Sequence, residues 1–175
     1  MNKKQDIKKM REFSADGWII RAMEDYEDIL LKYTWRLTGS YQKAQDVVQD
    51  AFLKLCRADR EKVELHLKAW LFKVCRNRAF EIQRRERKME SLSELQLNIT
   101  DSGEPTPYDR LEKSEDALRL NKMIEKLPEK HREIVYLKFQ SNLSYKEISE
   151  VANISVSNVG FILHKAIRQL RNDFC

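Results

Sequence analysis

Glycine and proline are scarce in this sequence, with four and three residues among 175. Average proteins contain roughly 12% of the two together. Sandwiches, barrels and meanders need a tight turn about every ten residues, so this composition argues against them. Long helices with few connections are predicted instead.

Cysteines and long apolar runs are also few. The three cysteines, Cys56, Cys75 and Cys175, form no CxxC pair and have no metal-ligand spacing. We therefore predict reduced thiols in a cytoplasmic protein, with no metal site and no cofactor. No stretch approaches the ~18 apolar residues of a membrane span, so no membrane insertion is expected. The basic segment Met1–Met10 is followed by no apolar run, which argues against a secretory signal.

Motifs of known catalytic sites are missing as well. The sequence has no glycine-rich phosphate-binding loop, no HExxH and no Ser/His/Asp spacing. The histidines, His66, His131 and His164, lie far apart. Each is expected to be structural or at the surface, and contact with nucleic acid is the alternative. The chain is predicted not to be an enzyme.

Charge is distributed unevenly along the chain. The net charge is +5, but residues 68–90 carry +5, residues 91–117 carry −5 and residues 118–175 carry +4. A single charged run is usually a solvated face. Two separate basic blocks, each with helical periodicity, favour contact with a polyanion at two places.

Apolar residues recur at helical spacing through the first ninety or so residues. The pattern predicts three helices: one from Ser14 to Thr38 that Gly39 ends, one from the Ser40 cap to about Arg57, and one over Leu67–Lys88. The segment Ala58–His66 breaks the pattern and is predicted to be a loop with a partial turn. The helices are predicted to form a bundle around three aromatic residues: Tyr33, Phe52 and Trp70.

Turn-forming residues are concentrated between Glu90 and Asp109, within the acidic block. We predict a flexible linker there; a long loop inside one domain is the alternative. The fold class is then all-α, with two small helical domains at residues 1–90 and 110–175 and an acidic linker at residues 91–109.

Four helices are predicted after the linker, and the last two form a helix-turn-helix. They are Arg110–Leu127, Pro128–Phe139, a short helix opened by the Ser144–Glu147 capping box, and a helix from the Ser155 cap to about Arg171. The last helix carries basic residues, and no acidic residue occurs from Ser155 to Asn172. That bias suits a recognition helix lying along DNA phosphates.

Three segments in this order resemble regions of bacterial sigma factors. The segment AQDVVQDAFLKLCR (Ala44–Arg57) is similar to the region that binds core RNA polymerase. Leu67–Lys88 resembles the region that melts the promoter and binds the −10 element, and Leu127–Arg171 resembles the −35 recognition region. The length of the chain and the direct junction of these two domains indicate the extracytoplasmic-function class.

The resemblance implies an alternative sigma factor whose partners are core RNA polymerase, promoter DNA and an anti-sigma factor. The alternative is a helix-turn-helix regulator without sigma activity and with a sensory N-terminal domain. The segment Ala44–Lys88 distinguishes the two functions, because it has no ligand-pocket or phosphoacceptor pattern but carries the polymerase-binding and strand-binding motifs.

The resemblance also implies site residues, and for the polar set on the second helix the alternative is a solvated helix surface. Polymerase binding falls on a polar set: Asp46, Gln49 and Asp50. Contact with the −10 strand falls on Asn77, which would read a base, and on cations that would follow its backbone: Arg76, Arg78, Arg84, Arg85, Arg87 and Lys88. Phe72 and Phe80 are stacking partners or, alternatively, core. Contact with the −35 element falls on the last helix: Ser155, Ser157, Asn158, Phe161, His164, Lys165 and Arg168.

The residues after Val159 depart from the family pattern, which usually has a basic residue, a serine and another basic residue there. This chain has Gly160, Phe161 and Ile162 instead. Three consecutive apolar helix positions, Phe161 to Leu163, cannot all face one core. We therefore predict that Phe161 contacts DNA, for example a thymine methyl, and that Gly160 lets the helix approach the DNA backbone. Phosphate anchoring would pass to His164, Lys165 and Arg168, and the alternative is that Phe161 packs inside.

Overall fold

The structure is a computed structural model that describes residues 17–92 and 115–174. Every regular element in these two ranges is helical, which confirms the all-α class. The chain divides into two compact units, Met1–Asp101 and Ser102–Cys175. Residues 93–109 of the predicted linker and the predicted helix start at Ser14 lie outside the described residues. No helix in the described ranges is both long and apolar enough to cross a bilayer.

Within residues 17–92, the first unit contains three long helices and two short turns. Helix α1 is Trp18–Thr38, α2 is Tyr41–Arg57, α3 is the single turn Arg60–Val63, a 3₁₀ turn spans Glu64–His66, and α4 is Leu67–Leu92.

The predicted end of α1 and the predicted start of α2 are confirmed. Gly39 ends α1 in the left-handed conformation with φ of 68°, and its N–H donates to the Trp35 carbonyl. The Ser40 hydroxyl caps α2 by accepting a hydrogen bond from the Lys43 N–H at 3.4 Å. Both signals are local, because each depends on residues within four positions of the helix end.

The prediction of a loop over Ala58–His66 is wrong in part. The Asp59 carboxylate accepts from the Glu61 N–H and caps α3, and Val63 is buried. Arg60 and Glu64 pair one turn apart at 2.9 Å. A helix of one turn is too short to show helical periodicity, so the pattern could not reveal it.

The core of the first unit is centred on Phe72. The Tyr33 and Phe72 rings lie 5.1 Å apart between centroids, and Phe52 is also buried. Trp70 is only partly buried, so placing it at the centre was wrong. Phe72 is fully buried and cannot stack on a base, whereas Phe80 is partly exposed beneath the Arg76 guanidinium.

Within residues 115–174, the second unit contains four helices: α5 over Glu115–Glu125, α6 over Glu129–Phe139, α7 over Tyr145–Ala152 and α8 over Val156–Phe174. Pro128 is the N-cap of α6 and not its first residue, because its ψ of 141° is extended. The described part of α5 starts at Glu115; residues 110–114, where this helix is predicted to begin, lie outside the described residues.

The helix-turn-helix is formed by α7 and α8, as predicted. The capping box joins the Ser144 hydroxyl and the Glu147 carboxylate, and Asn153 ends α7 in the left-handed conformation. The Ser155 hydroxyl accepts from the Asn158 N–H at 3.2 Å and caps α8. The two helices meet through fully buried apolar side chains: Ile148, Val151, Val159 and Leu163.

Candidate polymerase and nucleic-acid interfaces

Helix α2 separates polar from apolar residues cleanly. Its buried face packs into the bundle through Val47, Val48, Ala51 and Phe52. Asp46 lies on the exposed side, and Gln49 and Asp50 are half-buried. The exposed side also carries Leu53, an apolar side chain that the sequence analysis did not single out. This face offers carboxylates and an apolar group to a partner that carries cations.

Helix α4 presents a mostly basic exposed stripe. Residues four or seven positions apart share one side of a helix. Asn77, Glu81, Arg84 and Lys88 follow this spacing and are exposed, as are the neighbouring Arg85 and Arg87. Most of the predicted −10 set is therefore on one surface.

Arg76 and Arg78 flank this stripe on opposite sides, since each is one residue, or roughly 100°, from Asn77. The Arg76 guanidinium lies 4.5 Å from the centroid of the Phe80 ring. Arg78 donates through Nε to Asp50 Oδ2 at 3.0 Å and through Nη1 to Glu81 Oε2 at 3.1 Å. Its pKa is raised, first by the hydrogen bond with Glu81 and also by Asp50. A predicted polymerase contact and a predicted DNA contact are thus bonded to each other.

The sequence analysis missed the acidic partners of these cations. Glu81 is three residues from Arg78, a spacing typical of helix ion pairs, and it could have been noticed. The Asp50–Arg78 pair joins residues 28 positions apart and had no sequence signal. Lys43 and Glu86 form a second pair between α2 and α4 at 2.6 Å.

The segment Ala58–His66 exposes one large apolar side chain. Leu65, in the 3₁₀ turn, is 94% exposed, whereas the neighbouring Val63 is buried. The sequence analysis did not single out this exposed leucine.

Helix α8 carries a continuous exposed face that, unlike the stripe of α4, includes no carboxylate. Ser157, Phe161, His164, Lys165 and Arg168 follow helical spacing and are all exposed, and Asn158 is half-buried beside them. Phe161 is 65% exposed, whereas Ile162 and Leu163 are buried. This result confirms that one of the three apolar residues faces outward, and it excludes Phe161 from the core.

Gly160 faces the neighbouring helix of the same unit. A Cβ atom built on it would lie 3.7 Å from Cε2 of Tyr145, at the start of α7. The missing side chain is therefore directed towards α7, about 100° around the helix from Phe161. The expectation that Gly160 brings α8 close to the DNA backbone does not fit this direction.

His131, on α6, is partly buried and lies within electrostatic reach of Lys165 on α8. Its Nδ1 is buried and has no hydrogen-bond partner among the described residues. Burial lowers the pKa of the imidazole, and the charges of Lys165 and Lys130 lower it further. Lys165 therefore acts on a titratable group inside its own unit.

Two family models match the chain, one in each unit. Residues 22–89 match sigma-70 region 2, and residues 117–170 match sigma-70 region 4. The first match contains α2 and α4, and the second contains the helix-turn-helix. The three exposed faces described above, on α2, α4 and α8, lie inside the matched segments.

Relatives align along nearly the whole chain. The ECF RNA polymerase sigma factor SigW of Bacillus subtilis is 25% identical over 96% of this chain and 94% of its own length. The ECF RNA polymerase sigma factor SigL of Mycobacterium tuberculosis is 28% identical over 90% of each chain. In fold, the chain is similar to the sigma factor RpoE of Bartonella quintana, solved with the anti-sigma factor NepR, with a TM-score of 0.66, 22% identity and coverage of 89% and 96% of the two chains.

The order of the two matched regions and the length of these alignments agree with the resemblance in the sequence. A regulator with a sensory N-terminal domain is not favoured, because the N-terminal unit matches region 2. The chain belongs to the sigma-70 family, in its extracytoplasmic-function class.

Proposed function

We propose that this chain is an alternative sigma factor that binds core RNA polymerase and directs promoter-specific initiation through −10 and −35 elements. The observation that carries the proposal is the presence of regions 2 and 4, in this order, in one chain. An initiation factor needs both a polymerase-binding face and DNA-binding faces. A regulator that only binds DNA needs the helix-turn-helix alone.

The exposed face of α2 is the proposed polymerase contact. Asp46, Gln49 and Asp50 supply oxygen acceptors for cationic donors of the polymerase, and Leu53 supplies an apolar contact. The regions of residues 1–90 and 110–175 then act as the region 2 and region 4 domains.

The exposed stripe of α4 is the proposed −10 strand contact. An amide can donate to and accept from an unpaired base, so Asn77 reads a base. The cations of the stripe hold phosphates, which fixes register without reading sequence: Arg84, Arg85, Arg87 and Lys88. Arg76 and Arg78 stand at the edges of this contact.

The exposed face of α8 is the proposed −35 contact. Lys165, Arg168 and His164 anchor the phosphates of the duplex, while Ser155, Ser157 and Asn158 near the helix start offer hydrogen bonds. Phe161 stands in the middle of this face and contacts a thymine methyl in the major groove.

Regulation follows from the same family. We propose an anti-sigma partner, because the similar RpoE of Bartonella quintana was solved in complex with the anti-sigma factor NepR. The chain would act in the cytoplasm, as a regulator of transcription and not as an enzyme.

Run-off transcription with purified core polymerase on a library of promoter fragments tests the proposal. Transcripts should arise from a subset of fragments only when the chain is added. A variant in which Asp46, Gln49 and Asp50 are all alanine is the matched control and should yield few transcripts. Fragment binding by the chain alone, with no transcript in the presence of polymerase, would instead support a regulator without sigma activity.

A further inference from the structure

One arginine of the strand-binding helix is bonded to the polymerase-facing helix. Arg78 on α4 donates through Nε to Asp50 of α2 at 3.0 Å and through Nη1 to Glu81 of its own helix at 3.1 Å. The side chains of Arg78 and Asp50 are 29% and 43% exposed, so water and partners reach both. Asp50 therefore has two competing uses, as a partner of Arg78 and as a contact for the polymerase.

Helical geometry places the two acidic partners on different sides of Arg78. Asn77 marks the exposed stripe of α4, and Glu81, one turn later, lies within about 40° of it. Arg78 lies about 100° from Asn77, on the side that meets α2. Asp50 thus holds the guanidinium towards α2, whereas Glu81 holds it towards the stripe.

We propose that the Asp50–Arg78 ion pair couples polymerase binding to strand binding: Asp50 withholds Arg78 from DNA in the free protein, and polymerase releases it. A cation of the polymerase takes over Asp50, and Arg78 then turns on its Glu81 contact and pairs with a phosphate of the −10 strand. One charge-assisted pair is broken and two are formed. The inference rests on the proposed polymerase contact of Asp50.

The rest of the interface allows this exchange without separating the helices. Lys43 and Glu86 pair at 2.6 Å farther along α2 and α4, and the Gln83 amide donates to the Leu37 carbonyl of α1. Phe52 and Phe72 are buried between the helices. Loss of the Asp50 carboxylate therefore removes one ion pair from an interface that stays packed.

The size of the coupling follows from the exposure of the pair. Ion pairs with this much solvent contact contribute about 0.2–1 kcal/mol, which corresponds to about 1.4- to 5-fold in an equilibrium constant. The expected effect on strand binding is therefore several-fold and not larger. A released arginine adds one phosphate contact, which steepens the salt dependence for a single strand by about 0.7 in log–log slope.

The experiment measures binding of the full chain, without polymerase, to a labelled mixed-sequence single strand of about 12 nucleotides at about 50 mM salt. Asp50→Asn should bind about 1.4- to 5-fold more tightly than the wild type, with the steeper slope. Asp46→Asn is the matched control, because it removes the same charge from the same helix, and Asp46 forms no ion pair with another described residue. Asp50→Glu keeps the carboxylate and should bind like the wild type.

The second arm tests whether Arg78 carries the gain. Arg78→Gln should change strand binding little in the wild-type background and should cancel the gain in the Asp50→Asn background. Equal affinities of Asp50→Asn and Asp46→Asn would overturn the inference. Strand binding too weak to detect in Asp50→Asn would also overturn it, since the released arginine would then not reach DNA.

The third arm measures binding of the same strand by the holoenzyme. It compares the wild type, Asp50→Asn, Arg78→Gln and the double variant, which together form a double-mutant cycle. Polymerase already occupies Asp50 in the holoenzyme. Arg78→Gln should therefore change strand binding by the same factor with or without the Asp50→Asn substitution. Coupling that persists undiminished overturns the inference while transcription by the wild type leaves the proposed function intact. If core polymerase changes neither strand binding nor transcription of the wild type, the proposed function itself fails.

Discussion

The two helices proposed to face DNA differ in how their basic side chains are paired with carboxylates. On α4, Glu81 lies within the basic stripe and Arg78 is bonded to two carboxylates. On α8, no carboxylate occurs from Ser155 to Asn172, and neither Lys165 nor Arg168 is in an ion pair with another described residue. Carboxylates of the first unit therefore neutralise part of the positive charge on the α4 face. The cations of the α8 face have no such internal partners within the described ranges and can pair with phosphates.

The difference suits two kinds of DNA. Duplex phosphates are always available, so an unpaired basic face supplies affinity as soon as the two molecules meet. A melted strand exists only after the polymerase has opened the promoter. A face whose cations are paired with its own carboxylates binds non-specific DNA more weakly. Its cations therefore remain available for the melted strand.

The largest effect should come from removing the open cations of α8. Lys165→Ala with Arg168→Ala removes two charge-assisted contacts of about 1.5–3 kcal/mol each, a loss on the order of a hundredfold or more in binding to a −35 duplex. The log–log salt slope should become shallower by about 1.8. Arg84→Ala with Arg85→Ala is the matched control; it should spare the −35 duplex and lower single-strand binding on all promoters alike. Equal losses of duplex binding in both double variants would contradict the proposed difference between the α4 and α8 faces.

Asn77→Ala should act on base preference and not on affinity in general. A base contact contributes about 1–3 kcal/mol of discrimination, so preference at one −10 position should relax by about 5- to 150-fold. Open-complex formation on promoters with each of the four bases at each −10 position measures this. A uniform loss on every promoter would count against base reading and would place Asn77 with the phosphate-binding residues.

Alanine substitutions at one glycine in each unit should change the free energy of unfolding in opposite directions. Gly160→Ala should stabilise the second unit by about 0.5–1 kcal/mol, because an added Cβ lies at an ordinary 3.7 Å from Tyr145 and the helix gains propensity. Gly39→Ala should destabilise the first unit by about 1 kcal/mol, because its φ of 68° suits glycine. Thermal unfolding of each variant measures both, and a lower melting temperature for Gly160→Ala would show that Tyr145 cannot accept the methyl group.

Much of this fold could be predicted because its signals are local. Gly39, Ser40 and the Ser144–Glu147 capping box each set a helix end within four residues of themselves. The bundle centre was harder to place, because Trp70 and Phe72 lie on the same helix and only packing decides which ring is buried. The two residues are about 200° apart around α4, so this error concerned which side of the helix is buried, and the apolar pattern there does not choose between the sides.

The site was predictable as a set of residues but not as a set of bonds. The exposed face of α8 follows directly from helical spacing, including the outward position of Phe161. The Asp50–Arg78 bond depends on the antiparallel register of α2 and α4, which also brings Lys43 to Glu86. No pattern along the chain specifies that register, so residues assigned to different partners turned out to be partners of each other.

Phe161→Ala should lower −35 discrimination by a smaller amount. Burial of one methyl group contributes about 0.8 kcal/mol, so replacing the contacted thymine by deoxyuridine should weaken wild-type binding about fourfold. Phe161→Ala should lose this sensitivity to the methyl group, whereas Val156→Ala, an exposed apolar residue of the same helix, should keep it. If the wild type is indifferent to deoxyuridine at every −35 position, Phe161 has no thymine contact.

The smallest effect should be the pH dependence of stability that His131 contributes. The pKa of this imidazole responds to the charge of Lys165 on α8, within the same unit. Burial, Lys165 and Lys130 hold the imidazole pKa below its ordinary 6.5 in the folded unit. Between that lowered value and 6.5 the unfolded chain binds the proton more readily, so the free energy of unfolding falls as the pH is lowered through this window and levels off below it. Thermal unfolding of the second unit from pH 8 to pH 5 should show the loss, and His131→Gln, which does not titrate, should flatten it. Lys165→Ala should shrink the effect without removing it, because burial remains the main cause of the shift. An unchanged pH profile in His131→Gln would assign the loss to other groups.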